Sequence, residues 1–354
     1  MATTDFTTPA PATSLMLAET RAAPDAIARL LAESGPSIDS LARRMAAIGL
    51  AACVTVARGS SDHAAGHFAY LMLARAGLLT SSLPPSAITL HHAPLRGERL
   101  AAIAFSQSGQ SPDLVQAIGA LAASGAATAA FVNDPASPLA NAAATAIDLC
   151  AGAERSVAAT KSFVAQLVAG VQLHAAWAHD PTLLRAVQML PQTLDAALQS
   201  DWSAAVERLH GANRLYVIGR GAGLSIAGEM ALKFKEVCGI QAEAFSSAEV
   251  RHGPMALVDA GYPVLVLAPR GVEQQGLLEL ADELHTRGAA ISCAVAGDVD
   301  STRLPLLSVA AAEHEVLDTV SMIQSFYPMV EALARARGLD PDRPKYLTKV
   351  TRTQ

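Results

Sequence analysis

Apolar positions along the chain fall into two alternating textures. Short runs rich in Val, Ile, Leu and Ala, at 52–57, 101–105, 127–132, 214–218, 263–268 and 289–295, have the length of buried strands. Longer stretches at 62–77, 112–124, 223–237 and 273–287 read as helices that follow them. Such alternation predicts mostly parallel sheets with helices on both faces. A leading helix at about 16–47 and a linker helix at about 161–200 complete the pattern. Pro181 and Pro191 divide the linker into two or three pieces. Ligands of such sheets bind beyond the carboxyl ends of the strands, in the loops that open helices.

The pattern also repeats. Val54-Thr-Val-Ala-Arg-Gly-Ser-Ser-Asp-His-Ala-Ala-Gly66 matches Tyr216-Val-Ile-Gly-Arg-Gly-Ala-Gly-Leu-Ser-Ile-Ala-Gly228. Arg58 pairs with Arg220, Gly59 with Gly221 and Gly66 with Gly228, each 162 positions apart. Ala101–Gly109 and Pro263–Gly271 keep the same spacing. Two separate segments holding one offset indicate a duplicated domain. The expected organisation is an N-terminal arm and helix (1–47), a first domain with linker helices (48–200), a second domain (201–335) and a C-terminal tail (336–354).

Composition narrows the class. The 354 residues suit about two domains, and 51% hydrophobic content supports sizeable cores. A net charge of −6 without a basic run makes nucleic acid and anionic membrane poor partners. No apolar stretch approaches the roughly 20 residues of a spanning helix. Met1 to Leu15 has no secretory pattern and reads as a loose arm. Cys53, Cys150, Cys238 and Cys293 lack metal-ligand spacing and read as small core residues of a reduced, cytoplasmic protein. His91 and His92 stand apart from other ligand types, so no metal is expected.

One loop carries candidate chemistry: Ser106-Gln107-Ser108-Gly109-Gln110-Ser111-Pro112-Asp113. It leaves a strand and opens a helix, with Ser111 suited to the N-cap and Pro112 to the first helical position. Free N–H groups at the helix start favour an anion. Three hydroxyls without the Gly-Lys-Ser/Thr ending of a P-loop suit a sugar monophosphate better than a triphosphate. On the residues alone, an ordinary capped turn fits equally well. The second copy carries Ala268-Pro269-Arg270-Gly271 there, and this loss of serines suggests that the first loop kept a ligand.

These motifs, with Ala57-Arg-Gly-Ser-Ser61, Glu249-Val-Arg-His-Gly-Pro254, Ala151–Phe163, Glu229–Glu236 and Asp340–Lys349, resemble the sugar isomerase (SIS) family. The likeness runs from about Met16 to Thr351. It is strongest to the isomerase half of glucosamine-6-phosphate synthase and to its glutaminase-free relatives, the glucosamine-6-phosphate deaminases and fructosamine-phosphate deglycases. The resemblance implies two tandem SIS domains, each a flavodoxin-like or Rossmann-like three-layer α/β sandwich. It implies that Ser106, Gln107, Ser108 and Ser111 hold the phosphate, and that Ser61 and the backbone at Val157 and Ala158 contact sugar hydroxyls. Glu236 is then the base between C1 and C2, and Lys233 helps hold the site. Lys349 forms a Schiff base at a ketose C2. His252 assists ring opening, reaching in from a neighbouring subunit of a homodimer.

General chemistry agrees. Aldose–ketose exchange needs a positioned carboxylate base, and a docked, desolvated lysine is a usable nucleophile. The apolar neighbours Tyr346, Leu347 and Val350 suggest that the tail docks. Read alone, Lys233 and Glu236 look more like a surface ion pair than a site. No cofactor is required, since carbonyl and lysine supply the electron sink. No cysteine precedes Cys53, so glutamine hydrolysis is not expected. The expected reaction is glucosamine 6-phosphate to fructose 6-phosphate plus ammonia. A fructosamine 6-phosphate deglycase and a non-catalytic sugar-phosphate sensor are the alternatives.

Overall fold

The computed structural model describes residues 13–299 and 303–349. Residues 1–12, most of the expected loose arm, lie outside them. The single leading helix expected at 16–47 is three helices: α1 (Leu15–Arg21), α2 (Ala23–Glu33) and α3 (Gly35–Ile48). Pro24 and Pro36 stand in the first turns of α2 and α3. Each lacks the N–H that a continuous ladder needs, so the chain bends before it.

The first repeat follows as β1 (Ala52–Val56), α4 (Ser60–Ala76), β2 (Thr80–Ser82), a short α5 (Ser86–Thr89), β3 (Leu100–Ser106), α6 (Pro112–Ala123), β4 (Ala127–Val132), α7 (Pro138–Ala142) and β5 (Thr145–Asp148). The linker breaks at its prolines into α8 (Lys161–Trp177), α9 (Pro181–Gln188) and α10 (Leu190–Ala197), then α11 (Ser203–Leu209). The second repeat has β6 (Arg214–Gly219), α12 (Ala222–Cys238), β7 (Gln241–Ser246), β8 (Pro263–Ala268), α13 (Gln274–Thr286), β9 (Ala290–Ala296), β10 (Leu306–Val309) and α14 (Asp318–Ala336).

Both sheets are parallel and five-stranded. Their orders are β2-β1-β3-β4-β5 and β7-β6-β8-β9-β10, the same topology twice. The shared order puts a reversal point between β1 and β3 in one sheet and between β6 and β8 in the other, where open sheets bind ligands. Helix α4 and helix α12 begin and end 162 positions apart. Even their N-cap glycines match: Gly59 has φ 55° and ψ −134°, Gly221 has φ 57° and ψ −133°. The duplication is thus a structural repeat, and α/β three-layer architecture holds for both copies.

The halves meet along α4 and α12. An ideal Cβ on Gly66 would lie 3.0 Å from Ser225 Oγ, and one on Gly228 would lie 2.7 Å from the His63 ring. His63 and Ser225 are themselves repeat counterparts, so the crossing is two-fold in character. Helix α8, buried on every side, packs on α4, and α14 packs on α12. One apolar core runs through both copies, while the far face of each sheet has its own cluster. Cys53, Cys238 and Cys293 are core residues as expected; Cys150 is not. It is half-exposed at a left-handed turn, φ 51°, near Ser34 and Glu33. Among the described residues no helix is long and apolar enough to cross a membrane.

Candidate active site

The strand β3 delivers its last residue, Ser106, into the serine loop. Ser106 Oγ accepts the Gly109 N–H at 3.0 Å, and Ser108 Oγ accepts that of Gln110 at 3.3 Å. Gly109 has φ 62°, and an ideal Cβ there would sit 2.1 Å from Ser137 Oγ. Only glycine fits this turn. Ser111 occupies the N-cap of α6 and Pro112 the first turn, as expected. The Ser111 hydroxyl, however, does not cap the helix. Its backbone does the structural work, which leaves the hydroxyl for a ligand. Asp113, buried one position on, pairs with Arg58 at 2.8 Å and so ties the start of α6 to the end of β1. No local spacing announces that pair, whose members are 55 residues apart.

Across the first sheet's reversal point stands α12. Lys233 Nζ lies 2.5 Å from Glu236 Oε2, 3.2 Å from Glu229 Oε1 and 3.0 Å from Ser60 Oγ. The side chain of Lys233 is 1% exposed and that of Glu236 is 21% exposed. The pair is therefore not the surface ion pair that spacing alone suggests. Helical geometry explains the grouping, since positions 229, 233 and 236 stack on one face. Lys233 also crosses from the second repeat to Ser60 of the first. Its neighbour Ser61 accepts from Gln166 Nε2 of α8 at 3.0 Å.

Burial and charge set the protonation of this group. Burial pushes the Glu229 carboxyl up to about 7, against the pull of Lys233 and with the repulsion of Glu236. For Lys233 burial alone acts downward, but the carboxylates of Glu229 and Glu236 outweigh it and leave the ammonium above its ordinary value. Tyr327 of α14 donates to Glu229 Oε1 at 3.4 Å. Burial first, then the charges of Glu229, Glu154 and Glu236, hold its phenol well above the usual range. Three carboxylates, two from α12 and one from the loop at 151–160, thus bear on one tyrosine. Glu229, Tyr327 and Glu154 were not foreseen. Glu229 was legible in principle, four residues before Lys233 on an apolar helix.

The third component joins the loop at 151–160 to the tail. Glu154, fully buried, accepts from Thr160 N–H (3.1 Å), Ser162 N–H (3.1 Å), Ser162 Oγ (2.6 Å) and Lys349 Nζ (3.1 Å). Burial works against its ionisation, yet Lys349 and Ser162 together hold it below the ordinary carboxylate value. Ala158 is buried, and the Val157 N–H is engaged by the Asp342 carbonyl at 3.4 Å. Glu19 of α1 accepts the N–H groups of Arg155 and Ser156. Asp342 accepts those of Leu15 and Met16, both at 2.8 Å, at the start of α1. The tail therefore docks, but not through the apolar residues expected: Tyr346 is fully exposed and Leu347 is 44% exposed. Pro341 and Pro344 are buried instead, and carboxylate-to-backbone bonds and the Lys349–Glu154 ion pair add to the docking. Val350, the third expected contact, lies outside the described residues.

His252 ends a 3-10 turn, Glu249–His252, and is exposed. Among the described residues no hydrogen bond or ion pair links it to Lys233, Glu236 or the serine loop. Nor, among those residues, does any group of three or more His, Cys, Asp and Glu have the spacing to hold a metal ion.

Known proteins share this chain's sequence pattern and fold. The defining pattern of the SIS domain matches residues 52–176 and 208–333. The glutamine–fructose-6-phosphate aminotransferase [isomerizing] of Aeropyrum pernix is 34% identical over 319 residues, covering 85% of this chain and 51% of that protein. Its namesake in Bradyrhizobium diazoefficiens is 30% identical over 329 residues, 85% and 51% of the two chains. This chain thus spans about half the length of these relatives. A crystal structure from Silicibacter pomeroyi, provisionally described as a phosphosugar isomerase, superposes with a TM-score of 0.89 at 41% identity, covering 93% of this chain and all of that one. The glucosamine-6-phosphate deaminase of Thermotoga maritima shares the fold, with a TM-score of 0.76 at 21% identity, over 96% and 100% of the chains. With both repeats matched and the doubled sheet topology in place, this chain belongs to the SIS domain family and carries two copies of that domain.

Proposed function

We propose that the chain is an aldose–ketose isomerase of phosphorylated amino sugars that releases ammonia, converting glucosamine 6-phosphate and water to fructose 6-phosphate and ammonia. The observation that carries this reading is the Glu229–Lys233–Glu236 group, anchored to Ser60 beside Ser61. It offers a carboxylate base held by a buried cation and open enough to meet a substrate. The serine loop 106–111 would take the phosphate through hydroxyls and the N-terminus of α6. Ser61 and the backbone of Val157 and Ala158 would take sugar hydroxyls.

The chemistry then runs through this chain's own residues. His252 of a second subunit would move the proton that opens the ring, in a homodimer with shared sites. Glu236 removes the C2 proton of the open aldose and returns it to C1, which leaves an imine at C2. Water, or Lys349 released from Glu154, adds to that carbon and ammonia departs; a Lys349 Schiff base is then hydrolysed by water, which frees fructose 6-phosphate and the lysine. The names of the matched relatives support isomerisation.

Ammonia release from glucosamine 6-phosphate by the purified protein is the direct test. Glu236→Gln is expected to lower turnover by about 10²–10⁴-fold, the usual contribution of a positioned base, while sugar-phosphate binding survives. A chain that binds the sugar phosphate but releases no ammonia is not this enzyme. Indifference of every measured property to Glu236→Gln would point to a sensor.

A further inference from the structure

The duplication gives each feature of the first copy a counterpart in the second. A second cleft, of about 260 Å³, lies where the counterpart of the catalytic pocket belongs. It sits beyond the carboxyl ends of β6 and β8, at the second sheet's reversal point, with α4 as its opposite wall. Helix α4 stands here as α12 stands in the first site. The counterparts of Lys233 and Glu236 on α4 are Leu71 and Ala74, and both line the cleft. Those of Ser61 and Ser111 are Gly223 and Glu273. Proton-transfer groups are gone, yet the cleft persists.

What replaces them is polar. Arg220 is the counterpart of Arg58. Arg58 is matched by the carboxylate of Asp113, whereas the counterpart of Asp113 is Gln275. The partner of Arg220 is instead the neutral hydroxyl of Ser246, at 3.2 Å. A guanidinium without that carboxylate, at the mouth of a cleft, suits a phosphate. Facing it, Tyr70 donates to Glu273 at 3.3 Å, and Arg75 pairs with Glu315 at 3.3 Å. An ideal Cβ at Gly271 would lie 3.6 Å from a carboxylate oxygen of each glutamate, so the two acids converge over a glycine. Convergent carboxylates suit an ammonium. The volume falls below the roughly 300–1,000 Å³ of pockets for drug-sized ligands, which favours a monosaccharide over a nucleotide.

We infer that this cleft is a second, non-catalytic binding site for a zwitterionic phosphorylated amino sugar, with the phosphate on Arg220 and the ammonium on Glu273 and Glu315. The choice of ligand rests on the function proposed above; the presence of a second cleft does not. The two copies then divide as a converting site and a reporting site for one ligand class.

Calorimetric titration of full-length Glu236→Gln protein with glucosamine 6-phosphate counts sites without turnover. Two sites per chain are expected. Adding Arg220→Ala, at an exposed position, should weaken one of them by at least about tenfold, the loss of one charge-assisted contact. Adding Ser108→Ala and Ser111→Ala instead should weaken only the other. Glu273→Gln should weaken the Arg220-dependent site toward glucosamine 6-phosphate while sparing inorganic phosphate. One site per chain, untouched by Arg220→Ala, overturns the inference. So does equal affinity of the Arg220-dependent site for fructose 6-phosphate, which has no amine. Two sites in a protein that never releases ammonia would uphold the second site and defeat the catalytic reading alone.

Discussion

Lys233 shows how much one buried cation can carry. It holds two carboxylates at once, and its side chain has almost no exposure. Removing one member of a buried charged group usually costs about 3–5 kcal/mol, because the partner stays behind unpaired. Lys233→Met should therefore destabilise the fold by about that amount. Glu229→Gln should cost far less. With its carboxyl pushed up to about 7 by burial, Glu229 already carries a proton much of the time near neutral pH. The pH dependence has a definite sign. A carboxyl raised in the folded state adds stability that is complete below its ordinary value of 4.5 and is lost as the pH rises through about 7. Denaturant titrations at pH 5 and pH 7 should show Glu229→Gln losing less stability over that interval than the unaltered chain. If Lys233→Met and Glu229→Gln prove equally mild, the group is solvated and the electrostatic account fails.

At the scale of elements, the crossing of α4 and α12 decides how the repeats join. Gly228 admits the His63 ring, and a Cβ there would overlap it at 2.7 Å. Gly228→Ala should cost about 1–3 kcal/mol, as overpacked helix contacts do. His63→Ala in the same chain should recover most of that loss, a coupling that a double-mutant cycle in thermal melts would register. Sequence legibility follows the same division of near and far. The serine loop and the Lys233–Glu236 pair stood out only through their resemblance to SIS motifs, since short spacing alone fits a capped turn and a surface ion pair as well. The repeat was readable because two segments kept one offset. The edge strands β2, β5, β7 and β10 were not, since β2, β5 and β10 are short and the polar positions of β7 break any apolar run. Helix α14 lies past the last such run, and nothing local announces its counterpart role to α8. Glu19 and Glu154 escaped notice for another reason. Glu19 finds its partners 136 and 137 residues away, and Glu154 meets Lys349 195 residues on. Only the fold supplies those meetings.

Taken whole, the molecule joins the first helix α1 to the segment after α14. Asp342 takes the first N–H groups of α1, its carbonyl takes Val157 N–H, and Ser14 donates to Glu331 of α14 at 2.7 Å. From the other side Glu19 holds the 155–156 backbone. The tail bearing Lys349, the start of α1 and the loop bearing Glu154 and Val157 thus form one hydrogen-bonded unit. Asp342 acts on α1 as an N-terminal cap does, and loss of such a cap costs about 0.5–2 kcal/mol. That is small beside the stability of two packed domains, so Asp342→Ala should scarcely alter the global melt. The tail is another matter, because most of 343–349 is exposed. Exposed segments open at lower free energy than a packed core, so removing one anchor should shift that balance directly. Limited proteolysis should cut Asp342→Ala within 340–349 several-fold faster than the unaltered chain, while the core resists equally in both. If turnover depends on Lys349, it should fall along with tail protection. Unchanged proteolysis would mean that the Lys349–Glu154 pair alone holds the tail, and Glu154→Gln would then be the variant that frees it.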